Sequence, residues 1–220
     1  MIKVDNMKKN LKFILLGIVF ILIWAFNILV ISPKVDVIFA EPYNLIIRTF
    51  LKLIIWVGYS LFFINKYNKD LKIRKEELFK FKEKKLTLKL VLLIITISFF
   101  IMLFTRKGIY INGFTIDDFF NKFLLVGIEE ELVFRGLILN GLSKKDKFAK
   151  ASIITSILFA LVHIPLYIRS ELLLSDIILN CLKIVVISCF YNGIFNETKS
   201  IWPIVIFHSL IIYHLYSLRK

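Results

Sequence analysis

Three consecutive carboxylates and an arginine interrupt an apolar stretch. Residues 123–139 read FLLVGIEEELVFRGLIL, with Glu129, Glu130, Glu131 and Arg135 as the only charges. Glu131 and Arg135 are four apart, in the order that favours attraction along one helical face. Glu130 lies about 100° round the helix from Glu131, free to face a cavity. Burial and a nearby guanidinium pull the proton affinity of a carboxylate in opposite directions, which is how a general base is tuned. Two imidazoles stand in similarly apolar surroundings: His163 in FALVHIP (159–165) and His208 in SIWPIVIFHSL (200–210). Phe159 and His163 share a helical face at i, i+4. One Glu helix and two His helices can converge on a single water or metal ion. Such a set suits hydrolysis, which needs a base beside the water and donors where the oxyanion develops. Each feature also has a plainer reading. A lone imidazole is more often a hydrogen-bonded core residue, and a lone ion pair more often a lock between helices.

These groups must be carried by membrane helices. Of 220 residues, 58% are hydrophobic and 22 are Phe; mean hydropathy is +0.78. Soluble domains are about 45–50% apolar. The expected fold class is all-α, a polytopic membrane helix bundle of about seven spans, six to eight being the range. The spans fall at about 13–32, 44–64, 88–105, 118–142, 151–168, 172–195 and 200–218. The first holds twenty uncharged residues and is ended by Pro33, long enough for about 30 Å of hydrocarbon. In the second, Arg48 and Lys52 sit where long side chains can snorkel. The fourth opens with Thr115, Asp117 and Asp118, a capping pattern, and Pro165 kinks or ends the fifth. In the sixth, Asp176 and Lys183 are two turns apart and can line one cavity. Cys181 and Cys189 are too far apart along one helix to form a disulfide.

The formal net charge is +14. On a soluble protein this would point to nucleic acid. Here the surplus gathers in three places: Lys3 to Lys12, the segment Lys66 to Lys85, and Lys144 to Lys150. If the spans alternate, the three share one side, and the positive-inside rule makes that side cytoplasmic, with the N-terminus. The expected partners are therefore membrane lipids and not nucleic acid, and the expected location is the inner (cytoplasmic) cell membrane. The segment 66–85 reads as a solvated connector.

The motifs resemble those of the CPBP intramembrane proteases (CAAX-protease and bacteriocin-processing, also called Abi). That family's EExxxR is matched by Glu130, Glu131 and Arg135, with Phe134 and Gly136 beside the arginine. Its FxxxH is matched by Phe159 and His163, and the histidine of its last core helix by His208 after the lead-in Ser200 to Pro203. The resemblance covers about residues 115–217. It divides the chain into an N-terminal membrane region, 1–114, and a catalytic helix core, 115–220. It implies an intramembrane endopeptidase, with its cavity open to the cytoplasmic side, that cleaves a peptide or membrane-associated protein, in bacteria for peptide maturation, bacteriocin self-immunity or signalling. Glu130 would activate water with His163, Glu131 and Arg135 would orient it, and His208 would stabilise the oxyanion or bind a metal. Phe159 is expected on the substrate side. Glu130, His163 and His208 are also the expected ligands if a divalent metal, zinc first, takes part, although no HExxH pair requires one. Ile212 stands where the family carries the Asn or Asp implied in polarising the scissile carbonyl. That departure favours the first rival reading, a non-enzymatic immunity or accessory scaffold. A second rival, a transporter using Glu130, Arg135 and Asp176 as an ion path, lacks the paired broken helices and inverted repeat of such folds.

Overall fold

The computed structural model describes residues 2–105, 125–144 and 147–219. Among them there are helices and connections and no strand. Helix α1 spans 2–38, with a π-helical stretch at Asn27–Ile31. It does not stop at Pro33 as expected. Pro33 falls in the first turn after the wide stretch, where a missing N–H costs little, and the helix continues to Ile38. Helix α2 is Tyr43–Lys66, with its own π-helical stretch at Ile54–Gly58. Helix α3 is Lys84–Thr105, and α4 occupies 125–142. The expected start of α4 at Thr115 to Asp118 lies outside the described residues. Helix α5, Phe148–Leu161, breaks at Val162 and His163 before α6, Ile164–Arg169. The break follows from Pro165, which sits in the first turn of α6 and has no N–H to continue α5. Helices α7, Leu174–Thr198, and α8, Trp202–Arg219, complete the chain.

Four helices among the described residues are long and apolar enough to cross a membrane: Leu11–Ile38, Tyr43–Lys66, Phe148–Arg169 and Leu174–Thr198. They correspond to the first, second, fifth and sixth expected spans. Their outward faces suit hydrocarbon, with Leu22 63% and Val186 72% exposed. The chain is an all-helical, multi-pass membrane protein. Its centre is α4, in which every residue from Glu131 to Leu142 is buried. A helix apolar all round belongs inside a bundle, and α1, α2, α5, α7 and α8 all pack on it. The boundary expected at 114/115 lies outside the described residues; α1 and α2 share one core with α4. Two glycines set the closest approaches. A Cβ at Gly141 would run into the Phe13 ring of α1, and one at Gly127 would lie 2.5 Å from Ser209 Oγ and 3.2 Å from the Val205 carbonyl of α8.

The basic connector is more than a solvated face. Leu71 and Leu78 are buried in the core, and the short helix Lys75–Leu78 with its flanking backbone is tied to the ends of α4 and α8. Asn140 accepts from Ile73 N at 2.7 Å and donates to Ile73 O at 2.8 Å. Trp202 Nε1 donates to Phe79 O at 2.6 Å, and Ser200 Oγ to Lys80 O at 2.6 Å. Lys12 pairs with Asp70 at 2.5 Å and Lys144 reaches the Lys69 carbonyl, so the basic clusters of the first, second and fourth spans meet at one end of the bundle. Asn140→Ala leaves two backbone groups of Ile73 without partners. It is expected to cost about 2–4 kcal/mol and to open residues 72–82 to limited proteolysis, read as new fragments at a protease dose that leaves the parent intact.

Candidate active site

The three carboxylates of α4 leave the helix in three directions. Glu129 is 1% exposed and faces α2, with Lys52 Nζ 2.6 Å from its Oε2. Lys52 therefore does not snorkel: burying an unpaired carboxylate beside it would cost more than turning the ammonium inward. Glu131 is fully buried, and its Oε1 accepts from Arg135 at 3.2 Å and lies 2.8 Å from His208 Nδ1. Glu130 is the one that stays partly open, and it faces both imidazoles. His163 Nε2 is 3.9 Å from Glu130 Oε1, and His208 Nε2 is 3.6 Å from Glu130 Oε2.

Both rings are held by their other nitrogen. His163 Nδ1 lies 2.8 Å from the Phe159 carbonyl, and a carbonyl only accepts, so Nδ1 carries the proton and a neutral ring presents the Nε2 lone pair to Glu130. His208 Nδ1 donates to the Glu131 carboxylate. At the break the His163 N–H turns to the Ala160 carbonyl, which leaves the Phe159 carbonyl to its ring, while α8 crosses α4 at Gly127, where Val205 and Ser209 come closest. Gly127→Ala is expected to wedge α8 off α4 at a cost of about 1–3 kcal/mol and to separate His208 from Glu131. Its activity should fall well below what its melting temperature explains, and adding Ser209→Ala, which removes the Oγ at 2.5 Å, should restore part of it.

Arg135 is fully buried and each of its three guanidinium nitrogens has an acceptor. Besides Glu131 it donates from Nε to Asn192 Oδ1 at 3.0 Å and from Nη2 to Ser188 Oγ at 2.7 Å. Its plane lies between the rings of Phe159 and Tyr191, 4.6 and 5.3 Å from their centroids. Asn192 Nδ2 in turn donates to Ser152 Oγ and Ser156 Oγ, both at 3.0 Å. Four of these residues escaped sequence reasoning. Their signal was present: Ser152 and Ser156 on α5, and Ser188 and Asn192 on α7, are each spaced i, i+4 and form facing polar stripes. Phe159, expected to meet substrate, is 3% exposed and packs against Arg135, Phe134 and both imidazoles. It floors the cluster. Asp176 and Lys183 are exposed and line nothing in common with it. The side chain of Ile212 lies outside the described residues.

The donor types of Glu130, His163 and His208 fit a divalent cation, and rings fixed through Nδ1 are the usual support of a metal-binding Nε2. Their spacing does not: among the described residues no three such groups are set close enough to hold an ion.

Fold and site together describe a multi-pass helical membrane protein with a buried carboxylate, guanidinium and imidazole centre. Residues 112–213, a little under half of the chain, match the family model Rce1-like, type II CAAX prenyl endopeptidase Rce1-like. The matched region holds Glu130, Glu131, Arg135, Phe159, His163 and His208, and bears out the family resemblance of the motifs; α1, α2 and α3 lie outside it. No curated protein and no solved structure matches the chain.

Proposed function

We propose that the protein is an intramembrane endopeptidase that hydrolyses a peptide bond with a water activated by Glu130 and His163. The observation that carries this reading is the convergence of Glu130 from α4, His163 from the break between α5 and α6, and His208 from α8, with both imidazole Nε2 atoms turned to one carboxylate at 3.6 and 3.9 Å. Neither pair makes a direct hydrogen bond, and a water set beside the Glu130–His163 pair, off the line between them, can reach both atoms. That water donates to Glu130 and to His163 Nε2, and its oxygen is left to attack the scissile carbonyl. Glu130 takes the proton and returns it to the leaving amine. His208, as the imidazolium that the Glu131 carboxylate stabilises, offers Nε2–H to the oxyanion. Glu131, Arg135 and Asn192 keep the rings in place. The low dielectric around the cluster strengthens each of these contacts.

The substrate class is a peptide or membrane-associated protein segment, with peptide maturation or bacteriocin self-immunity as the role in the inner membrane. The positive-inside rule supports a cytoplasmic N-terminus and a cytoplasmic basic end of the bundle. A divalent metal is a separate proposal. Bound zinc would draw in Glu130, His163 and His208 and supply Lewis-acid polarisation of the carbonyl; loss of activity with a chelator and recovery with Zn²⁺ would show it.

The test is cleavage itself. Purified protein in liposomes, given membrane-anchored peptides in H₂¹⁸O, is expected to yield two fragments with ¹⁸O in the new carboxylate. Intact peptide throughout would leave the scaffold reading, which Ile212 favours. Ile212→Asn restores the family's polar residue one turn beyond His208 and is expected to raise the cleavage rate by about tenfold or more, the effect of one added oxyanion donor.

A further inference from the structure

A second polar site lies away from the cluster, between α1, α2, α4 and α6. It is a cavity of about 210 Å³, roughly the volume of seven water molecules. Arg48, Lys52 and Arg169 line it with Asn27 and Glu129. Asp36 bridges the two arginines, 3.0 Å from Arg48 Nη1 and 2.7 Å from Arg169 Nη2, and Lys52 pairs with Glu129. Three cations against two carboxylates leave one positive charge over. The site is also short of hydrogen bonds. Arg48 Nε, a donor, and Asn27 Oδ1 and Glu129 Oε1, both acceptors, are buried without partners, and Asn27 is 3% exposed. Buried groups of this kind each cost free energy until a partner arrives.

We propose that this cavity binds the headgroup of an anionic phospholipid bearing a free hydroxyl. A phosphodiester carries the one negative charge needed and accepts from Arg48 and Arg169, and a glycerol hydroxyl donates to Asn27 or Glu129. The position selects a lipid over a soluble anion. Helix α1 ends at Ile38, α2 begins at Tyr43 and α6 ends at Arg169; the Asp36 pairs join the three near these ends, and the ends of spanning helices lie toward the headgroups. On α1 and α2, Phe26, Leu29 and Ile46 are exposed, apolar surface of the kind acyl chains cover. A headgroup here rests on the Lys52–Glu129 pair, next in the chain to Glu130, and so couples the lipid to the position of α4.

The full chain in detergent, titrated with phosphatidylglycerol and followed by melting temperature, tests this. Phosphatidylglycerol is expected to raise the melting temperature saturably, phosphatidic acid less, and phosphatidylcholine not at all. Arg48→Gln with Arg169→Gln is expected to weaken the apparent affinity on the order of tenfold or more. Arg48→Lys, which keeps the charge, should retain most of the response, as should Lys147→Gln at the basic end. Equal responses to phosphatidylglycerol and phosphatidylcholine would overturn the proposal, as would a full phosphatidylglycerol response in the double Gln variant. So would protection by inorganic phosphate alone, or by a peptide with a free but not an amidated C-terminus in place of lipid, since either assigns the anion to another source.

Discussion

Glu130→Gln is expected to lower peptide cleavage about a thousandfold or more, while the protein inserts and melts like the parent. The side chain keeps its size and partial exposure, so packing is preserved, and the amide cannot take a proton from water. A general base contributes about 10²–10⁴-fold, and Glu130 is the only one of the three carboxylates not already committed to a cation or an imidazole at hydrogen-bond distance. Glu129→Gln is the control. It removes the partner of Lys52 on the far side of α4, and its cost should appear in stability, with cleavage reduced far less. Rates and melting temperatures of the three proteins in the same detergent separate the two effects.

Arg135→Met is expected to destabilise the fold by about 3–5 kcal/mol, since it strands the fully buried Glu131 carboxylate. It also frees Asn192, Ser188 and the stack between Phe159 and Tyr191. Arg135→Lys should recover little. An ammonium cannot reach Glu131, Asn192 and Ser188 together from one planar fork, nor lie flat between two rings. Adding Glu131→Gln to Arg135→Met removes the stranded charge and should restore part of the stability but not the activity, because His208 then loses the carboxylate that orients it. Thermal unfolding in detergent beside the cleavage rate checks both statements.

Four of the expected spans were legible as long apolar runs, and the cluster because charge inside a membrane is rare. Glu130, Glu131, Arg135, His163 and His208 stand out against their apolar neighbours, and the i, i+4 spacing of Glu131 and Arg135 is a local property that the helix converts directly into a 3.2 Å contact. What escaped depends on partners distant in the chain. Lys52 looked like a snorkelling residue because nothing local shows that Glu129, 77 positions on, waits for it. Asn140 and Trp202 gave no sign that they would fasten a connector 67 and 123 residues earlier. The serines and Asn192 were lost among small polar residues that apolar helices tolerate. The π-helical stretch 132–139, a form common at functional sites, has no composition that marks it.

In the proposed mechanism Glu130 and His163 act on one water. A double-mutant cycle on the cleavage rate, with Glu130→Gln, His163→Ala and the double variant in identical liposomes, tests it most directly. Residues that share one step are strongly non-additive. Each single variant is expected to lose most of the activity, and the double variant to be scarcely slower than the worse of the two. Losses that multiply, or a single variant that cleaves at the parent's rate, would contradict it.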